Sequence, residues 1–489
     1  MRTETACRAA GEQPSASGSY HFRVIPSRHS PDQYPQRFLK LEFLSVSMRV
    51  LFVILMVGML LRAVHVGRQW DRPPSPDAER DYLPLADSVL HGQGFVNGAG
   101  EPDSRRGPTY PLFVAAATVI LPGTTEHASV VMNVLLDLGL ICIVWTLTQR
   151  FTGRQAAGWA AAAYACNPLS IYACALVAPE ILFAFLLAVA LLWLHRGLTS
   201  NHTGGILISG IAMGASALTR ATPVLLVPLL GVWILLGRRG TAIPEEQRNE
   251  SLPPWPDGLV SMRVRLRQTV VFGAAAAFVV LPWTLRNWIV FEEFIPIVAN
   301  GGANFHLGAP DDIDLASLED ETHLHRRMLQ LDKPEPAPPE LHGKPAARDQ
   351  YFYRRGSELY GRAWEKSPVV FARFVLFKSL RLWYATHSGR YELMVGLINA
   401  VWVTMALAGC FAAWQRRQFH HLVPLLLTIA YFQIVLTAMY PLARYVVGFA
   451  PCLCVMTGPG CAAIQNVLQN LLRRKPSLTP AVVTADGEQ

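Results

Sequence analysis

The fold is decided by VLFVILMVGMLLRAVHV, residues 50–66, and by DAERDYLPLADSVLHGQGF, residues 77–95, which follows it. The first stretch is apolar over a length that can cross a bilayer, for which about 20 residues are needed. The second has helical periodicity, with Tyr82, Leu85, Ala86, Val89 and Leu90 on one face. Asp81 is placed to cap that helix, with Pro84 in the first turn, where its missing N–H costs little. Gly92 and Gly94 end it. A carboxylate therefore stands just beyond a membrane span, at the head of an amphipathic helix on the membrane surface.

The same alternation continues along the chain. Of 489 residues, 51% are hydrophobic and 16% charged, where soluble domains carry about 25% charged residues. The charges cluster between apolar runs, as in a multi-span membrane protein. Further spans are expected at 128–148, 156–175, 179–195, 204–221, 222–237, 269–288, 393–414, 421–440 and 444–465. With 50–66 they make about ten crossings in an all-α bundle. The run 110–121 is only a dozen residues long and reads as interfacial or re-entrant. The 222–237 span is short and holds Pro223 and Pro228.

Charge placement supports that count. With the N-terminus cytoplasmic, Arg150, Arg154, Arg196, Arg238, Arg239, Arg263, Arg265, Arg267, Arg416, Arg417, Arg473, Arg474 and Lys475 all fall inside, as the positive-inside rule requires. The exception is the pair Arg105 and Arg106. The net charge of +8 is thereby explained without nucleic acid, and no aromatic–basic groove for one is present. Of eight cysteines, Cys7 lies in the tail and the others in or at apolar spans, so neither a disulfide framework nor a zinc ribbon is implied.

The expected organisation follows. Residues 1–47 are a disordered tail or an extension preceding a true start at Met48. Residues 48–288 form a first membrane module carrying an outside loop, 67–127. Residues 289–392 form an extracytoplasmic loop domain, acid- and Pro-rich at 311–340 and aromatic–basic at 351–383, as in a helix at the interface. Residues 393–468 are the last spans, and 469–489 a cytoplasmic tail. Two glycosylation patterns, at Asn201 and Asn249, fall on the cytoplasmic side and are discounted.

The pattern Asp81-Tyr82-x-x-Leu85-Ala86, then Gly92-x-Gly94-Phe95 and Arg106-Gly-Pro-Thr-Tyr110-Pro111, resembles the first extracytoplasmic loop of GT-C-fold membrane glycosyltransferases. The nearest group is family 39-like: protein O-mannosyltransferases, aminoarabinose transferases and relatives. Ala178-Pro179-Glu180 resembles a second acidic position. Leu218-Thr-Arg220, Leu281-Pro-Trp-Thr-Leu-Arg286-Asn287, Pro296 to Asn304, and Ala443-Arg444-Tyr445 resemble later landmarks. The likeness spans roughly 50–460.

That resemblance implies a GT-C-like bundle with an acidic base in the first outside loop and a polyprenyl-phosphate-sugar donor. The acceptor would be a lipid, a protein or a glycan, with inversion at the anomeric carbon. The acid that relatives carry four residues before the tyrosine is Ala78 here, so the implied base is one of Asp77, Glu79 and Asp81, with Asp81 favoured and then Asp77. If helical, Asp77 and Asp81 share a face. Glu180 would orient the acceptor or hold a divalent metal, though nothing in the sequence requires one. Arg106, Tyr110, Arg220, Arg286, Lys378, Arg444 and Tyr445 would bind substrate, since arginine forks suit a leaving phosphate. The implied place is the cell (inner) membrane, with the active site on the extracytoplasmic side.

Each residue also has a structural reading: Asp81 as a plain cap, Glu180 as a wet span end, the arginines as snorkelling anchors, Lys378 and Arg381 as interfacial anchors. Asp137, inside the second span, either pairs within the bundle or marks a polar path. The competing functions are a secondary transporter or lipid-linked-sugar flippase, and a non-catalytic assembly factor. Transporters tend to show paired halves, and none is seen.

Overall fold

The computed structural model describes residues 46–236, 260–310, 337–386, 388–416 and 418–473. Residues 1–45, 237–259, most of the acid-rich stretch and the C-terminal tail lie outside these, and with them the expectations about the tail, Asn249 and the basic residues 238, 239, 417, 474 and 475. The described residues fall within one compact unit. Among them every regular element is helical, apart from an isolated bridge between Val96 and Pro102.

The chain runs through α1 (Val46–Gln69), α2 (Leu83–Leu90), α3 (Thr109–Ile120), α4 (Thr125–Thr152), α5 (Arg154–Ala165) and α6 (Pro168–Cys174). Next come α7 (Glu180–Thr199), α8 (Thr203–Thr219), α9 (Leu226–Leu236), α10 (Met262–Phe291) and α11 (Gly301–Leu307). Last are α12 (Pro345–Lys366), α13 (Pro368–Tyr384), α14 (Glu392–Gln415), α15 (Val423–Ala438) and α16 (Ala450–Arg473).

Six helices, α1, α4, α7, α10, α14 and α16, are long and apolar enough to cross a membrane. At 1.5 Å per residue each reaches about 30 Å or more, the thickness of the hydrocarbon core. Four shorter helical segments lie where the remaining expected crossings fall: α8, α15, the broken pair α5–α6, and α9 with the 3₁₀ turn Thr222–Leu225 before it. The 156–175 span is interrupted because Asn167 turns the chain and caps α6, its side-chain oxygen accepting from the amides of Leu169 and Ser170. The last span begins at Ala450, not 444, and Ala443–Gly448 forms a separate 3₁₀ segment. Arg444 and Tyr445 thereby sit off the helix.

Lipid offers no hydrophobic drive between helices, so close approach depends on small residues. A methyl group on Gly214 of α8 would sit 2.6 Å from the Ala276 carbonyl of α10, and one on Gly409 of α14 would overlap the Met456 carbonyl of α16. The interior is built from α4, α5, α7 and α16, with Leu140, Val144, Phe151, Tyr164, Leu191 and Cys454 buried. Burial separates the ring from the centre: 72% of the apolar window of α7 is enclosed, against 17% for α1 and α14. The last two present most of their surface to lipid.

A fully buried ion pair crosses this interior. Arg62 of α1 meets Asp137 of α4, which also accepts from the Tyr164 hydroxyl of α5 at 2.6 Å. Arg62 further donates to the carbonyls of Gly58 and Ala165 at 3.0 and 2.9 Å. Asp137 pairs within the bundle, and three helices are tied together at one point.

Candidate functional site

Between α1 and α2 the chain makes a widened π turn, Ala78–Tyr82. The extra residue per turn directs Ala78, Asp81 and Tyr82 inward and leaves Glu79 and Arg80 exposed. Such turns are frequent at functional sites. Asp81 is therefore not a cap for α2: that helix starts after Tyr82 and has no side-chain cap. Its buried face also differs from the periodic reading, since Ser88 is enclosed while Leu90 is exposed. The Asp81 side chain is 1% exposed and receives the Arg106 guanidinium at 2.5 Å, with Arg105 at 3.4 Å. Its Oδ2 takes the bond from Arg106, while Oδ1 has no hydrogen-bond partner.

Arg105 and Arg106 are held by Asp103. One carboxylate oxygen of Asp103 accepts from both their amides at 2.7 and 3.1 Å, and the other pairs with the Arg105 side chain. Arg106 also lies over the Tyr82 ring, 5.2 Å from its centroid, a cation–π arrangement. Tyr110 is fully buried and packs edge-on against Tyr82 at 5.0 Å. It forms the floor beneath the π turn.

A second group comes from distant parts of the chain. Glu180 opens α7, where a carboxylate suits the helix dipole, and its side chain is 6% exposed. Arg220, directly after α8, bonds Glu180 Oε1 at 3.0 Å. Arg444 reaches Glu180 at 3.9 Å and Asp77 at 3.3 Å, bridging the two acids. Tyr445 lies between the cations, with Arg220 4.6 Å and Arg444 5.2 Å from its ring centroid. Burial alone would raise the Tyr445 hydroxyl, but Arg444 and Arg220 bring it below its ordinary value. Asp77, 36% exposed, shows the same balance: desolvation raises it, and Arg444 and Arg106 carry it below the usual aspartate range. Arg80 touches both Asp77 and Asp81, joining the two groups.

The site thus brings together Asp77, Asp81, Arg106, Glu180, Arg220, Arg444 and Tyr445, with Tyr110 beneath. Asp77 and Asp81 share Arg80, while Arg444 pairs with Asp77 and Arg106 with Asp81. Two residues stand elsewhere. Arg286 bonds the carbonyls of Phe95 and Asp103. Lys378 is buried on α13, donating to the Gly308 and Ala438 carbonyls and the Tyr360 hydroxyl. It lines an apolar cavity of about 800 Å³ with Phe305, Trp364, Phe371 and Ile434. Sequence reasoning gave no site role to Arg80, Asp103 and Arg105. Arg105 had a signal, as half of the one basic pair that breaks the inside–outside charge pattern; Asp103 had none.

Glu180 Oε2, like Asp81 Oδ1, is buried without a hydrogen-bond partner. Two carboxylates therefore each give one oxygen to an arginine hydrogen bond and leave the other without one, although Asp81 Oδ1 still lies 3.4 Å from the Arg105 guanidinium. Among the described residues no three His, Cys, Asp or Glu side chains are grouped as a metal site. Asp77 and Glu180, the acids nearest to sharing a ligand, share Arg444 instead.

The architecture is that of a multi-pass membrane protein of the GT-C fold. It superposes on the archaeal oligosaccharyltransferase AglB from Archaeoglobus fulgidus, in complex with an inhibitory peptide and a dolichol-phosphate. The TM-score is 0.53 at 15% identity, over 87% of this chain and 51% of that one. The oligosaccharyltransferase of the same organism tethered with an acceptor peptide gives 0.50 at 15% identity, over 88% and 51%. The chain spans about half the length of these proteins. ArnT from Cupriavidus metallidurans bound to undecaprenyl phosphate superposes more loosely, at 0.40 and 12% identity over 88% of this chain and 81% of that one. At the sequence level, residues 105–244 match the family described as dolichyl-phosphate-mannose-protein mannosyltransferase. That segment begins at Arg105 and includes Arg106, Tyr110, Glu180 and Arg220. No curated protein sequence matches the chain.

Proposed function

We propose that the protein is a membrane glycosyltransferase moving a sugar from a polyprenyl-phosphate donor to an acceptor on the extracytoplasmic face of the cell membrane. The observation that carries the reading is Asp81: a buried carboxylate with one oxygen bonded by Arg106 and the other left without a hydrogen bond, 3.4 Å from the Arg105 guanidinium. A positioned base needs such a free oxygen within reach of the proton it removes.

In this reading an acceptor hydroxyl or amine gives its proton to Asp81 Oδ1 as its heteroatom attacks the anomeric carbon. The bond from that carbon to the phosphate oxygen breaks, its electron pair stays on the oxygen, and the anomeric centre inverts. The departing phosphate gains one negative charge. Arg220 and Arg444 are fixed beforehand by Glu180, Asp77 and the Tyr445 ring, so they meet that charge with little reorganisation. Glu180, with its own free oxygen, orients the acceptor. A lipid-borne donor accounts for a catalytic group at one end of a membrane bundle. The likeness to proteins that bind dolichol-phosphate, and the mannosyltransferase match, support the donor class.

The test is transfer of radiolabelled sugar from a polyprenyl phosphate in proteoliposomes by the wild type, Asp81→Asn and Asp77→Asn. Asp81→Asn is expected to lose about 10²–10⁴ in rate, the usual worth of a general base, while still binding donor. Asp77→Asn should lose far less. Wild-type rates from both variants would refute Asp81 as the base, and no transfer by the wild type would refute the enzyme. Movement of lipid-linked sugar across the bilayer without transfer would favour the flippase.

A further inference from the structure

Arg286 stands at the same end of the bundle as the acids but touches none of them. Its Nη1 donates to the Asp103 carbonyl at 3.1 Å and to the Asn287 side chain at 3.0 Å, and its Nη2 to the Phe95 carbonyl at 3.0 Å. Three of the five guanidinium donors are thereby taken by neutral oxygens. The group also lies 4.8 Å from the Trp283 ring centroid and 5.3 Å from that of Phe291. An arginine meant to clamp a phosphate would present its fork to open space; this one is spent on backbone.

What it holds is the turn that arms Asp81. The Asp103 carbonyl is fixed by Arg286, and the Asp103 side chain fixes the amides of Arg105 and Arg106. The same turn is gripped from a second direction. Ala299 donates to the Ser104 carbonyl at 2.8 Å. The strip before Ala299 is tied to α10, since Trp283 donates to the Ile297 carbonyl at 2.8 Å and Asn287 to those of Ile295 and Ile297. At Gly107 the turn comes so close to α8 that a methyl group would lie 2.0 Å from the Leu218 carbonyl. Small shifts of α10 or of residues 295–299 are thus passed to Arg105 and Arg106 rather than absorbed.

We infer that Arg286 and Asp103 are positioning residues: together they lock the 103–106 turn against α10 and the 295–299 strip, so that Arg105 and Arg106 face Asp81. The inference rests on the proposed transferase reading only for its catalytic consequence. Arg286 then governs turnover through geometry and not donor affinity, because misplacing a reacting group by about 1 Å can cost on the order of 10² in rate.

The experiment uses the full chain in lipid nanodiscs as wild type, Arg286→Gln, Arg286→Lys and Asp103→Asn. Amide hydrogen exchange is read by mass spectrometry, alongside steady-state transfer and binding of undecaprenyl phosphate. Arg286→Gln is expected to speed exchange over 103–107 while α7 and α16 stay protected. It should lower kcat by about 10² with KM for donor changed by less than about threefold, the signature of lost positioning. Arg286→Lys should recover part of the rate, since a point charge replaces one branch of the fork. Asp103→Asn keeps an acceptor for the two amides and should fall between. Unchanged exchange over 103–107, exchange raised throughout the bundle, or a loss confined to KM and to undecaprenyl phosphate binding would each overturn the inference. If the wild type transfers nothing while the exchange pattern appears as expected, the positioning stands and the transferase reading fails.

Discussion

Asp137→Ala removes the counter-ion of Arg62 at a point where neither side chain meets solvent. The cation would keep the Gly58 and Ala165 carbonyls, which are dipoles and not charges. Breaking a buried pair by deleting one partner costs about 3–5 kcal/mol, because the survivor is left uncompensated. The Tyr164 hydroxyl, now without its acceptor, adds about 1–3 kcal/mol as an unmade buried hydrogen bond. The expected destabilisation is therefore about 4–8 kcal/mol, an upper range because the two losses share one oxygen network. A triple change, Arg62→Met, Asp137→Leu and Tyr164→Phe, removes both charges and the hydroxyl together, leaving only the neutral Gly58 and Ala165 carbonyls without the Arg62 donor, and should return to within about 2 kcal/mol of the wild type, as apolar replacement of buried pairs does. The assay is SDS-titrated unfolding in mixed micelles, followed by tryptophan fluorescence. An Asp137→Ala loss below about 1 kcal/mol, the size of an ordinary substitution, would refute the reasoning. So would a triple variant as damaged as the single one.

Other expectations concern the site and its surroundings. Gly107→Ala must displace the turn or α8, and is expected to abolish transfer while the bundle still extracts as a folded species by size-exclusion chromatography. Asp77 has a folded pKa below its ordinary 3.8, so its ionised form adds stability above that value that is lost as pH falls through the folded one. Wild type should therefore lose more stability between about pH 5 and pH 3 than Asp77→Asn, as thermal melts would show. Burial lowers Lys378 to about 7. Between pH 7 and about pH 10 the unfolded chain then binds the extra proton, so stability rises with pH; Lys378→Met should flatten that rise in the same melts.

The class of protein and the approximate places of its spans are legible in hydropathy and charge, although the exact ends of the elements are not. Ten apolar runs, and basic clusters that fall on one side of the membrane, are local and additive properties of a chain in a bilayer. Hydropathy and charge therefore read them directly. The short run 110–121 was recognisable for the same reason, since α3 at twelve residues cannot span. Motif order also marked Asp81, Glu180, Arg220 and Arg444 as residues of interest.

Which of these residues meet follows from the folded chain alone. Asp77 and Arg444 are 367 residues apart in sequence, and no periodicity constrains a contact at that separation. The π turn that sends Asp81 inward is set by one extra residue per turn, a register that apolar spacing cannot reveal. Arg286 and Lys378 looked like phosphate ligands because arginine and lysine at helix ends usually serve charge. Most of their partners are backbone carbonyls from distant parts of the chain, beside the Asn287 side chain and the Tyr360 hydroxyl, and a carbonyl's position is written in the fold, not in any side chain.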